Sequence, residues 1–230
     1  MAGGCNLVFP LEAPPDAMPQ LPAFSVAASE HVPNSSSLSY PLTIPDGTRR
    51  FLLVSVQLGT DCVVESPDIT SVTYDGVALT PIISIVGTPC GTSTTRSDQW
   101  QLVEPDTGTH DVVVTLSADA LTIHSGAMAF TGVDPRAPVR GSATAAGSGT
   151  SSSVSVASVV GDLVVNTVGQ GNSVIARGEG QTELFIHNDD SSNTLNNSGA
   201  CSSPGAESVT ITWTFGAFDE WQTISSSLRP

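Results

Sequence analysis

The sequence predicts an all-β chain folded as an antiparallel two-sheet β-sandwich of jelly-roll or immunoglobulin-like type, and three observations carry that expectation. Two strand-like runs, ITSVTY from Ile69 and VALTPIISIV from Val77, meet across Asp75-Gly76, a dipeptide suited to a type I′ turn because both central residues need φ > 0. Val209, Ile211, Trp213 and Phe215 share one parity while Thr210, Thr212 and Thr214 share the other, which is the period of a half-buried strand. Short strand candidates separated by turn residues then recur to the C-terminus without an amphipathic helix. Strands covered on one face with short connections imply antiparallel pairing in two packed sheets.

Taken in order, residues 1–23 read as an anchor remnant and a proline-rich spacer, and 24–230 as a single β-sandwich domain. Pro10, Pro14, Pro15, Pro19 and Pro22 cannot donate to a ladder and favour extended, semi-rigid backbone. Strands are expected over Phe24 to Ser29, Leu38 to Ile44, Arg50 to Leu58, both arms of the hairpin, Asp98 to Val103, His110 to Ser117 and Leu121 to Phe130. A second group covers Ser152 to Ala157, Asp162 to Val168, Thr182 to His187, Ser208 to Phe215 and Trp221 to Leu228. The parity of Leu52, Val54, Val56 and Leu58, and of Val112, Val114 and Leu116, repeats the half-buried pattern. Gly141 to Ser153 (GSATAAGSGTSSS) is low-complexity and offers a flexible boundary, but one domain is preferred because the remainder looks too short in strands to close a sandwich alone. No repeat of fixed period is visible.

At 230 residues the chain can bury roughly 70 to 75% of its unfolded surface as one sandwich. Charged residues are only 13%, so Ser, Thr, Asn, Gln and Gly must supply the solvated surface. Seven arginines, no lysine and 22 carboxylates give a net charge of −15, which repels phosphate backbones and anionic lipid headgroups and excludes nucleic acid as an expected partner. No stretch is long and apolar enough for a transmembrane helix.

Cys5, Cys62, Cys90 and Cys201 form neither C-x-x-C pairs nor Cys/His clusters of zinc spacing. If the hairpin extends evenly from Asp75-Gly76, Cys62 and Cys90 lie nearly opposite each other at its open end. A disulfide there would contribute about 3 to 4 kcal/mol in the chain-entropy model and would place the protein in an oxidising compartment. Met1 to Asn6 (MAGGCN) has the small residues before cysteine of a lipoprotein signal, without the basic and apolar regions that precede one. Two readings follow: a start shortened in this sequence with Cys5 as the lipid-attachment residue, or an ordinary Cys5 that could pair with Cys201.

Several stretches resemble a β-sandwich domain widespread in secreted and surface proteins of environmental bacteria: Val72 to Thr80 (VTYDGVALT), Trp100 to Pro105 (WQLVEP) with Gly108-Thr109, Phe130 to Asp134 (FTGVD), Gly161 to Val165 (GDLVV) and Trp221 to Pro230 (WQTISSSLRP). The resemblance covers Phe24 to Pro230. It implies fold and extracellular or cell-surface placement, and it brings no catalytic residues because its motifs are turns and core positions. Gly4 to Phe9 is similar to lipoprotein starts in myxobacteria-like organisms, which implies an outer-membrane lipoprotein with membrane contact only through the lipid.

Candidate chemistry is sparse. No Gly-x-Ser-x-Gly elbow is present, and His124-Ser125 and Thr109-His110-Asp111 are sequence neighbours that point to opposite faces of a strand. His31, His110, His124 and His187 lack close two-His spacing, so each reads as a surface or strand-end residue unless tertiary contact gathers them. The best oxygen-rich groups for a structural calcium are Asn188, Asp189 and Asp190, and then Asp61, Glu65 and Asp68; neither has EF-hand spacing. Sugar binding needs exposed aromatic faces, and with Trp213 on the buried parity the available rings are Trp100, Trp221, Tyr40 and Tyr74. The sequence therefore points to a non-enzymatic, secreted or surface-anchored structural or adhesive module whose partners are other surface proteins, itself or glycans. The alternatives are a carbohydrate-binding module and, behind it, a hydrolase with an unrecognised site.

Overall fold

A computed structural model describes residues 20–59, 66–87, 94–171, 173–188 and 197–230. Among them there are thirteen strands and no helix. The first sheet contains β1 (Ala23–Ile44), β2 (Phe51–Gly59), β3 (Ile69–Tyr74), β4 (Val77–Ala78), β5 (Thr80–Val86), β6 (Thr94–Val103) and β7 (Gly108–Thr131). Its order is β4-β3-β7-β2-β6-β5, with β1 also on β7. Leu79 alone separates β4 from β5, which lie at opposite ends of that order. One residue therefore joins the two sheet ends, and the sheet curls almost into a barrel.

The curl has a local cause in a bent ribbon. Strand β7 pairs with β1 over most of its length, but on its other edge Val112–Leu116 meets β3 while Thr122–Phe130 meets β2. At the bend β1 carries a bulge between Ser35 and Ser37 next to Asn34, whose φ is 48°; a bulge re-aims a strand in this way. The first half of the ribbon folds over the second and encloses Leu42, Leu52, Val54, Tyr74, Val112, Val114 and Ile123 in one apolar cluster.

The second sheet repeats this plan. It contains β8 (Val139–Ala157), β9 (Leu163–Gln170), β10 (Ile175–Arg177), β11 (Thr182–His187), β12 (Asn197–Pro204) and β13 (Ser208–Leu228). Replacing β1, β2, β3, β5, β6 and β7 by β8 through β13 in chain order reproduces every pairing except that of the extra strand β4. The chain is thus a structural duplication, which the sequence reading missed because the strands match in topology while loop lengths differ. The β8/β13 ribbon also bends, at an irregularity between Thr214 and Asp219, and closes over Val164, Val168, Ile175, Cys201 and Trp213. Trp213 donates its indole N–H to Asn166 Oδ1 at 2.7 Å, and Asn166 donates in turn to Thr223 and Ser225.

The two sheets pack face to face as a sandwich. Strand β1 lies against β11, β7 against β12, β6 against β13 and β5 against β8. Exchanging the repeats maps these contacts onto each other, so the seam has the self-complementary form of a two-fold interface. One end is apolar, with Phe51, Leu53, Met128 and Phe130 against Val165, Phe185, Ala200 and Leu228. The middle is polar: Gln99 donates to Thr167 Oγ1 at 3.0 Å and to the Ile224 carbonyl at 3.3 Å, and accepts from Ser226 at 2.6 Å.

Four expectations need correction. The hairpin at Asp75-Gly76 exists, with φ values of 51° and 73° as a type I′ turn requires, but its ladder is confined to Thr73–Ala78 and Tyr74–Val77, with one further bond from the Leu79 amide to the Val72 carbonyl. Beyond Leu79 the chain crosses to β6, so the even extension that placed Cys62 opposite Cys90 does not occur; both cysteines, and Cys5, lie outside the described residues. Strand β2 is buried on both faces rather than one, including Ser55 and Gln57. Gly141 to Ser153 is no boundary but part of β8, laddered to β13 on both sides of the irregularity at Thr150; small side chains hid a strand whose pairing is made by backbone alone. Strands β10 and β12 (NSGACSSP) were missed for the same want of apolar alternation.

Across the seam the Phe185 ring packs onto Gly126, where a Cβ would fall 2.0 Å from the ring's Cζ. Gly126→Ala is expected to lower stability by ~2 kcal/mol in urea titration, and Phe185→Leu in the same chain to recover part of the loss.

Candidate functional site

The four aromatic residues marked by the sequence do not form one platform. Tyr40 and Tyr74 are buried inside the first repeat and present no ring face to solvent. Tyr40 shares a 2.8 Å hydrogen bond with Ser125, and burial drives its phenol well above the ordinary range. Tyr74 donates to the Gly108 carbonyl at 3.2 Å. Trp100 is half-buried against the same core, whereas Trp221 belongs to the second repeat.

The proposed calcium groups fall partly outside the description, because Asp189, Asp190, Asp61 and Glu65 are not among the described residues. Asn188 is exposed and its Oδ1 accepts from the Ile175 amide at 3.1 Å, while Asp68 is paired with Arg96 at 2.9 Å. Among the described residues no group of three or more His, Cys, Asp or Glu is placed to hold a metal ion. Cys201 is a free, buried thiol whose S–H donates to Gln181 Oε1 at 3.2 Å. Burial pushes that thiol up to about 12.

What the sequence did not anticipate is a gathering of three of the four histidines at the polar end of the seam. The rings of His31 and His124 are stacked with centroids 5.2 Å apart, and His187 approaches them at 4.7 and 5.4 Å. His31 on β1 and His124 on β7 belong to the first repeat, His187 on β11 to the second. Their separations in sequence, which excluded a local motif, are closed only when the sheets stack. His124 is fully buried rather than at the surface, and Ser198 Oγ lies 3.5 Å from its Nδ1. Ser198 is buried too, so this serine and imidazole meet away from solvent. The fourth histidine, His110, sits elsewhere, paired with Asp75 at 3.0 Å.

The duplication supplies a second corner to compare. His124 stands six residues before Phe130, the partner of Phe51, and Gln222 stands six before Leu228, the partner of Leu163. His124 pairs with His31 and Gln57, and Gln222 with Ala146 and Gly169. By the same register Ser97 corresponds to Ser198 and Ile85 to His187. Where one corner is filled by His31, His124 and His187, the other offers Ala146, Gln222 and Ile85. That second corner is open as a cleft of about 190 Å³, lined by Gly87 after β5, Ala146 to Ser148 on β8 and Glu220 to Gln222 on β13.

At the opposite end of the second sheet Asp162 is a structural hub, meeting Arg140 Nη2 at 3.0 Å, Ser227 at 2.8 Å, Ser158 and the Val159 amide. Burial pushes its carboxyl up, but the hydrogen bonds from Arg140 and Ser227 outweigh this and hold it below the usual carboxylate range. Compared with known proteins, the chain matches no protein-family model and no curated relative.

Two outcomes follow. Because its folded pKa is depressed, Asp162 contributes stability that is present above the unfolded carboxylate pKa and is lost as pH falls through the folded value; Asp162→Asn should lower the unfolding midpoint at pH 7 and flatten the acid limb of stability against pH. Cys201, buried and neutral, should stay unmodified by a disulfide-exchange reagent at pH 8 in the native protein and react once urea unfolds it.

Proposed function

We propose that this protein is a non-enzymatic structural or adhesive module, secreted or held at the cell surface, with 24–230 acting as one folded unit. The observation that carries this reading is the outer strand β8. It ladders to β13 on one side, and from Gly141 to Ala157 it contains no charged residue and no proline. Long edges of that kind are templates for pairing with another chain, and charges, prolines and bulges are the usual protections. A chain of net charge −15 repels its own copies, and a neutral edge is where two can approach at least electrostatic cost.

An oxidising location fits the cysteines by a route different from the hairpin. Gly59, the last residue of β2, pairs with Thr94, the first of β6, so the segments that carry Cys62 and Cys90 start from neighbouring strands at one end of the sheet. A Cys62–Cys90 disulfide accords with that placement. The proline-rich residues 1–23 would then act as a spacer, with Cys5 as its lipid-bearing end if the protein is anchored.

Sedimentation at low and high salt tests the reading. Self-association should strengthen as salt screens the acidic surface, and a lysine on the edge, Thr150→Lys, should weaken it; association that falls with salt, or none at any salt, would count against the module. Peptide mapping without reductant should recover Cys62 linked to Cys90, and a Cys90–Cys201 link would refute the pairing.

A further inference from the structure

We infer that the free edge of β8 is the interface of a closed two-fold dimer, in which a second copy of this chain adds its own β8 antiparallel and the pair admits no third copy. The inference rests on the self-association reading and specifies its partner and its limit. Among the described residues the strands paired on one side only are β1, β4, β5, β8, β10 and β11. Each unpaired row of N–H and C=O groups is a template for another chain unless something blocks it.

All but one of these edges are blocked. Strands β4 and β10 have two and three residues, and very short edges hold no partner. Strand β1 carries Glu30, Pro33, Pro41 and two register shifts. Strand β5 carries Pro81 with a shift between Pro81 and Ile83, and β11 carries Glu183 with a shift between Glu183 and Phe185. Charge, proline and bulge are the devices that close an edge, and from Gly141 to Gly149 β8 has none of the three. Exchange of the repeats places β8 where the first repeat has β1, so equivalent edges of one molecule are being compared, one closed and one open.

Charge and shape select a second copy as the occupant. Strand β5 lies against β8 across the seam, and its Val86 is 62% exposed, so this side of the sandwich pairs a neutral edge with an uncovered apolar side chain. A fitting partner presents an uncharged strand to β8 and an apolar group to Val86, on sheets stacked ~10 Å apart. Strands β8 and β5 of a second copy, turned by a two-fold normal to the sheets, present both. The stretch from Gly141 to Gly149 is about 30 Å long and the two sheets about 20 Å deep, which gives roughly 600 Å² per copy, at the low end of a specific interface. A two-fold contact uses the same edge on both copies. With the other edges closed, assembly ends at two.

The test is sedimentation of the full chain from ~5 to ~200 μM in high salt, where screening removes the repulsion between copies. The mass should rise from monomer to dimer and stop there. Ser148→Lys, at an exposed position of β8, should weaken the dimer at least ~10-fold, although the added positive charge makes the chain less acidic and lowers the repulsion between copies. Ala146→Lys, also exposed, is the second variant should the first not fold. Thr182→Lys, exposed on the blocked edge of β11, should leave the dimer as it is. Growth beyond the dimer with concentration, a dimer untouched by the folded β8 variants, or its loss in Thr182→Lys would overturn this inference and leave self-association standing. No association at any salt would overturn both.

Discussion

The seam between the two sheets is the constraint on which the rest of the structure depends. Strands β2 and β9 lie in the middle of their sheets, with a bent ribbon on one face and the opposite sheet on the other. Their polar side chains are all cut off from water, so they must find partners within the protein. Ser55 on β2 does so by donating to the Gly126 carbonyl, and Asn166 on β9 does so beneath Trp213. This explains a composition poor in charge and rich in hydroxyls and amides, because small uncharged polar groups can be buried when they are hydrogen-bonded and isolated charges cannot.

Charges survive in the interior only where geometry holds them. Arg140 and Asp162 join β8 to the turn before β9, and Ser158 and Ser227 complete the carboxylate's bonds. Arg96 grips Asp98 through both oxygens, and burial still lifts that carboxyl above its ordinary range despite the guanidinium. The first pair ties β8 to the turn before β9, whereas the second lies along β6, with Arg96 also reaching Asp68 ahead of β3, and the sheet-to-sheet contact itself is apolar and amide-rich.

The duplication gives the seam its self-complementary form and then departs from it. Equivalent strands face each other across the two-fold, so every corner has a counterpart, but the residues at the polar corners differ. Stacked imidazoles close one; an alanine and a glutamine leave the other open.

Much of this architecture was legible in the sequence, and the limits of that legibility are physical. Alternation in Val209 to Phe215 and the Asp75-Gly76 turn announced antiparallel β structure because each is a local rule: side chains alternate every residue, and a type I′ turn needs two positive φ values. The first part of β8, before the expected strand at Ser152 to Ala157, and all of β12 escaped notice because Ser, Gly and Ala carry no alternation, and their pairing comes from backbone groups that every residue has. Strand order, the crossing at Leu79, the repeat and the meeting of His31, His124 and His187 are decided by which distant strands stack. That choice belongs to the packing of whole faces, Phe185 against Gly126 among them, and no short stretch of sequence contains it.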